Sequence, residues 1–95
     1  MTNANLGDTV NWTAQTGATS YEIASQNLPG GEPHLPTTNV GNVLSAPLTT
    51  FLPNAVLGNS YQLFVRAVAG SDFGPWGQLD ITLVTQFGAP VITLS

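Results

Sequence analysis

Few side chains in this 95-residue chain could do chemistry, and they lie far apart. His34 is the single histidine, set between Pro33 and Leu35, with Glu32 as its nearest carboxylate. One imidazole and one carboxylate make a poor metal site, because zinc centres draw on three or four protein ligands. No cysteine exists to complete a set. Ser71 and Asp72, with His34, are residue types found in nucleophilic triads, but nothing in the pattern gathers them. There is no nucleophile elbow and no glycine-rich phosphate loop. Asp8, Glu22, Glu32, Asp72 and Asp80 are scattered, so no acid/base carboxylate pair is expected. Asn11-Trp12-Thr13 has the spacing of a glycosylation acceptor, but it falls inside an expected strand and is read as fortuitous. The expectation is a non-enzymatic chain with no catalytic residue, no metal and no cofactor.

Charge narrows the partners. Charged residues make up 6% of the chain, against about 25% in ordinary soluble domains. Arg66 is the one cation, and the net charge is −4. Binding to nucleic acid requires several Lys or Arg to displace phosphate counterions, so a nucleic-acid partner is not expected. Attraction to anionic lipid fails for the same reason. No run approaches the ~18 apolar residues of a membrane span, so no membrane insertion is expected. The opening MTNANLGDTVNW has no basic segment followed by an apolar run, and so no signal peptide is read in this chain. The polar surface must be built from Thr, Asn, Ser, Gln and Gly. Such a surface does little to repel another sheet edge, where Lys is a common safeguard.

The elements that position these residues are strands. Period-two alternation predicts Thr9 to Ala14, with Val10 and Trp12 on one face, and Ser20 to Ser25, with Tyr21 and Ile23 inward. NLPGGEPHLP, residues 27–36, is turn chemistry that cannot hold a ladder. Thr37 to Val40 and Val43 to Ala46 are short strands, and Leu48 to Leu52 is a clearer one. Tyr61 to Ala69 is the strongest, with Tyr61, Leu63, Val65 and Ala67 on one face. Residues 69–75 form a loop. Leu79 to Thr85 follows, with Leu79, Ile81 and Leu83 on one face, and Val91 to Leu94 is a last β-branched run. About seven short strands with turns every eight to twelve residues imply an all-β sandwich.

Three stretches resemble the fibronectin type III family. VNWTAQTGATSYEI (10–23) looks like its strands B and C, with Trp12 as the core tryptophan and Tyr21 as the strand-C tyrosine. LGNSYQLFVRAV (57–68) looks like its E–F corner and strand F. Tyr61 would be the corner tyrosine whose hydroxyl bonds to upstream backbone. GPWGQLDITLVT (74–85), which carries Trp76, is similar to the entry into strand G. The resemblance covers residues 9–86. Leu57 departs from it, standing where the family usually has proline. A second departure is larger. Residues 1–8 form a polar arm too short for a good first strand and its turn, whereas residues 87–95 look like a spare strand that pairs on its own sandwich or with a neighbouring copy, or else serve as a linker. The resemblance implies a β-sandwich with its first strand short or missing and an extra strand-like C-terminal tail.

Two functions follow from this frame. In the first, the chain is a structural or assembly subunit of a virion (a decoration or tail protein) or of an extracellular filament. It self-associates through sheet edges and the C-terminal strand, with copies of itself or another structural protein as partners. Val91, Ile92, Thr93 and Leu94 would form the donated strand or contact arm. Phe64 and Val68, with Ala24 and Val84, would form an outward apolar patch. In the alternative, the chain is a recognition module that binds a protein or glycan through its loops, with Asp72 and Phe73 at the tip. Arg66 is expected to face outward, paired with Asp80 or stacked on Trp76.

Overall fold

The computed structural model describes residues 2–27, 37–53, 55–84 and 91–94. These residues fold as an all-β, sandwich-like structure. Its strands are β1 (Thr2–Ala4), β2 (Thr9–Asn11), β3 (Ser20–Asn27), β4 (Thr38–Gly41), β5 (Ser45–Pro47), β6 (Ser60–Ala69), β7 (Asp72–Phe73) and β8 (Gly77–Leu83), with one helical turn, α1 (Leu48–Phe51). The larger sheet runs β1-β8-β6-β3-β4, with β7 hairpinned onto β6, and the smaller is the antiparallel pair β2-β5. Alternation decides what fills the space between the sheets. Tyr21 and Ile23 of β3, Tyr61 and Leu63 of β6, and Ile81 and Leu83 of β8 are all buried. Val10 and Trp12 pack against this core from the smaller sheet.

The first strand, expected to be short or missing, is present and short. Thr2, Asn3 and Ala4 pair in parallel with Ile81, Thr82 and Leu83. Three residues suffice because they join an existing ladder and because Ala4 enters the core. The turn to β2 is closed reciprocally: Asp8 N–H donates to Asn5 O, and Asn5 N–H donates to the Asp8 carboxylate.

One expectation is corrected: Leu48 to Leu52 is not a strand. Leu48, Phe51 and Leu52 are buried while Thr49 and Thr50 are exposed. That spacing of three and four residues is one face of a helical turn. Pro47 stands immediately before it, where the lack of an N–H costs nothing.

The C-terminal segment, for which pairing on its own sandwich, pairing with a neighbour and a linker role stand open, shows no pairing over its described residues. Val91 to Leu94 belong to no ladder and are exposed. The expected turn at 27–36 and the stretch 87–90 fall almost wholly outside the described residues.

The corner before β6 shows how local chemistry fixes the fold. Gly58 holds φ at +91°, which L-residues with side chains rarely adopt. Its N–H then reaches Leu83 O, tying the corner to the end of β8.

Candidate functional site

The side chains with chemistry gather on the outer face of the larger sheet, around Arg66. Glu22 lies directly opposite Arg66 in the β3–β6 register. Arg66 donates to Glu22 Oε1 from Nε at 2.8 Å and from Nη2 at 2.7 Å. Its guanidinium also lies over two rings, 4.0 Å from the Phe73 centroid and 4.4 Å from that of Trp76. The expected Asp80 partner is replaced by Glu22 for a reason of register: Asp80 stands opposite Gln62, not Arg66. Asp80 instead accepts from Gln78 Nε2. The predicted stacking on Trp76 is present.

The same hairpin corrects the expected outer patch. Phe64 and Val68 do face away from the core, but they are only 3% and 7% exposed, and Ala24 is buried beside them. Trp76 packs edge-on against Phe64 at 6.2 Å, and Phe73 pairs with Val68 across the β6–β7 turn. Residues 72–76 therefore fold over the face that alternation alone leaves open. Phe64 and Val68 are packed within the chain and offer no contact surface. Farther along this face, Gln26 Nε2 donates to Gln62 Oε1 at 2.7 Å between two buried amides.

The structural aromatics sit as follows. Trp12 packs on Tyr21 and Phe51, with ring centroids at 6.0 and 6.3 Å, and donates its indole N–H to Val43 O. Tyr21 Oη accepts from Gln15 N–H, and Tyr61 Oη accepts from Val56 N–H at 2.9 Å. At this end of the sandwich a cavity of about 550 Å³ opens between the Gln15–Ala18 turn and the β6–β8 hairpin. Trp12, Gln15, Tyr21, Arg66, Phe73 and Trp76 are among its lining residues. Asp72 and Phe73 reach its rim, with Phe73 53% exposed.

The C-terminal segment is a separate feature. Val91, Ile92 and Leu94 are 87%, 89% and 99% exposed, and Thr93 is exposed between them. Among the described residues, no group of three or more His, Asp or Glu side chains could hold a metal. His34 and Glu32 lie outside those residues.

Fold and site together define an all-β, sandwich-like protein with an aromatic-clamped arginine and an uncovered apolar tail. No protein-family model matches the sequence, and no curated protein matches it.

Proposed function

We propose that this chain is a non-enzymatic structural subunit built on a fibronectin type III-like sandwich, and that it self-associates through Val91 to Leu94. The carrying observation is the exposure of Val91, Ile92 and Leu94, three apolar side chains in four residues with almost no cover. Contiguous apolar surface of this kind marks an interaction site. The near-absence of charge supports the same reading. The one cation lies in the central strand β6, so no sheet edge carries the Lys that commonly discourages strand addition. The family assignment draws support from the Tyr61–Val56 corner bond, from Trp12 packed on Tyr21, and from the strand order. A virion decoration or tail protein, or an extracellular filament subunit, is the setting that suits such a module. The test is solution mass by light scattering, with electron microscopy alongside, for the full chain and for a chain ending at Gln86. Oligomers, rings or filaments from the full chain alone support the reading. Equal masses refute it.

A second reading has its own support. The cavity rimmed by Asp72 and Phe73 suits a recognition module for a protein or glycan. A monomeric full chain with a saturable ligand, lost on Phe73→Ser, would favour it over assembly.

A further inference from the structure

Among the described residues, open edges remain on β4, β1, β7 and the Gly77–Asp80 stretch of β8 in the larger sheet, and on β5 and β2 in the smaller. All but β2 are blunted. β7 is two residues long, and the β8 stretch carries Gly77 and the charged Asp80. The β4 edge is irregular, with a register shift against β3 and Gly41 at φ +85°, and such bulges discourage further pairing. β1 is three residues long and breaks into a turn closed between Asn5 and Asp8, whereas ladder bonds at Asp8 and Trp12 extend the equally short β2 at both ends. The β5 edge carries Pro47, and the chain turns into α1 directly after it.

The hydrogen bonds fix which β2 groups are open. Leu48 N–H donates to Asp8 O, and Trp12 N–H donates to Leu44 O. Residues 8, 10 and 12 thus point their backbone groups at β5, and alternation turns those of Thr9, Asn11 and Thr13 away from it. Pro47 stands opposite Thr9, a position whose missing N–H costs this ladder nothing and closes the far side of β5. On the open side, two carbonyls are served by side chains. Asn11 Nδ2 donates to Thr9 O at 3.3 Å, and Gln15 Nε2 to Thr13 O at 3.5 Å. These bonds are long and exposed, so a backbone donor displaces them at little cost.

The core also leaves one apolar side chain of the larger sheet uncovered. On the inner face of β8, Ile81 and Leu83 are fully buried, but Leu79 is 45% exposed. The helical turn after β5 packs on β3, and Ser25 Oγ bonds Phe51 O there. The smaller sheet packs on the same core through Val10 and Trp12, and Leu79 is an apolar side chain of β8 that this packing leaves uncovered.

We infer that the open edge formed by β2 and the two residues after it, Thr9 to Thr13, accepts residues 91–94 of a second copy of this chain as an added strand. The inference rests on the proposed self-association through that segment. Its alternation fits: with Ile92 and Leu94 turned inward over Leu79 and beside Val10, Val91 and Thr93 face solvent. A second copy is the occupant because the chain's own segment stands away from every ladder, with its apolar side chains exposed. Donation from one copy to the next is head-to-tail, and such contacts propagate into filaments unless the rotation closes a ring.

The chain contains no cysteine, so introduced thiols report without background. A chain carrying Thr93→Cys is mixed with one carrying Asn11→Cys and oxidised. A control mixture pairs Thr93→Cys with Thr38→Cys on the blunted β4 edge. The expected result is a mixed-disulfide dimer forming at least tenfold faster than in the control, since bridging needs Cα atoms about 4.4–6.8 Å apart. Equal rates overturn the inference. So does an intramolecular disulfide, with no dimer, in the dilute doubly substituted chain, because the segment then closes its own sandwich. Asn11→Pro is a second probe. It removes an outward N–H and leaves the β2–β5 bonds intact. Loss of assembly at an unchanged melting temperature supports the inference, and undiminished assembly refutes it. If Asn11→Pro unfolds the chain, the cross-linking decides alone. Assembly that depends on residues 87–95 yet cross-links elsewhere refutes this acceptor only. Assembly indifferent to those residues refutes the underlying reading.

Discussion

Arg66 places two of its nitrogens on one oxygen of Glu22, at 2.7 and 2.8 Å, while Phe73 and Trp76 hold its guanidinium plane. The partners come from three places in the chain: β3, β7 and the residue just before β8. The arginine therefore ties the hairpin to the sheet. Both charged side chains are about four-fifths buried, so the contacts exceed those of an open surface pair. Arg66→Ala is expected to cost about 1–2 kcal/mol in urea unfolding. Arg66→Lys should recover part of this, since it keeps the charge and loses the planar fork. A loss below about 0.5 kcal/mol for Arg66→Ala would place this pair with ordinary exposed ones.

The Tyr61 hydroxyl holds the Val56 N–H five residues upstream, next to the positive-φ turn at Gly58. Tyr61→Phe keeps the buried ring and deletes that acceptor. The expected loss is about 1–2 kcal/mol, seen as a melting temperature lower by several degrees. The far-ultraviolet spectrum should not change. An unchanged melting temperature would mean that water serves the Val56 N–H equally well.

The corner was legible in the sequence because its signal is local: LGNSY brings glycine and tyrosine together within five residues. The inward faces of β3 and β6 were legible for the same reason, through alternation. What escaped depends on register or on distant cover. Glu22 and Asp80 are equal candidates for Arg66 until the register places Glu22 opposite it and Asp80 opposite Gln62. The outward direction of Phe64 and Val68 followed from period two, but the rings that cover them come from the hairpin and leave no mark on that period. Leu48 to Leu52 failed differently. In a stretch this short, residues 48, 50 and 52 of a strand and 48, 51 and 52 of a helical turn compete, and Phe51 decides for the helix.

Gln26 and Gln62 are buried and bonded to each other across β3 and β6. Gln62→Leu strands the Gln26 amide in a dry environment and should cost about 1–3 kcal/mol. The paired change, Gln26→Leu with Gln62→Leu, removes both needs together and should lie near the wild-type stability. A double-mutant cycle by chemical denaturation gives the coupling directly. Additive losses would show that the two amides do not depend on each other.

Ile92 and Leu94 touch almost nothing in their own chain, so their substitution separates folding from assembly. Ile92→Asp and Leu94→Asp should leave the melting temperature of dilute protein within about 1 °C of wild type, since exposed substitutions commonly change stability by under 0.5 kcal/mol. Assembly should fall sharply, because each carboxylate would have to be desolvated against the apolar surface at Leu79 and Val10. Val91→Asp and Thr93→Asp, on the opposite side of the added strand, should have a much smaller effect. Sedimentation of the four variants at equal concentration reads the pattern. Loss at 92 and 94 but not at 91 and 93 is the period of a strand with one face buried. Equal loss at all four would describe a segment that sticks without a fixed register.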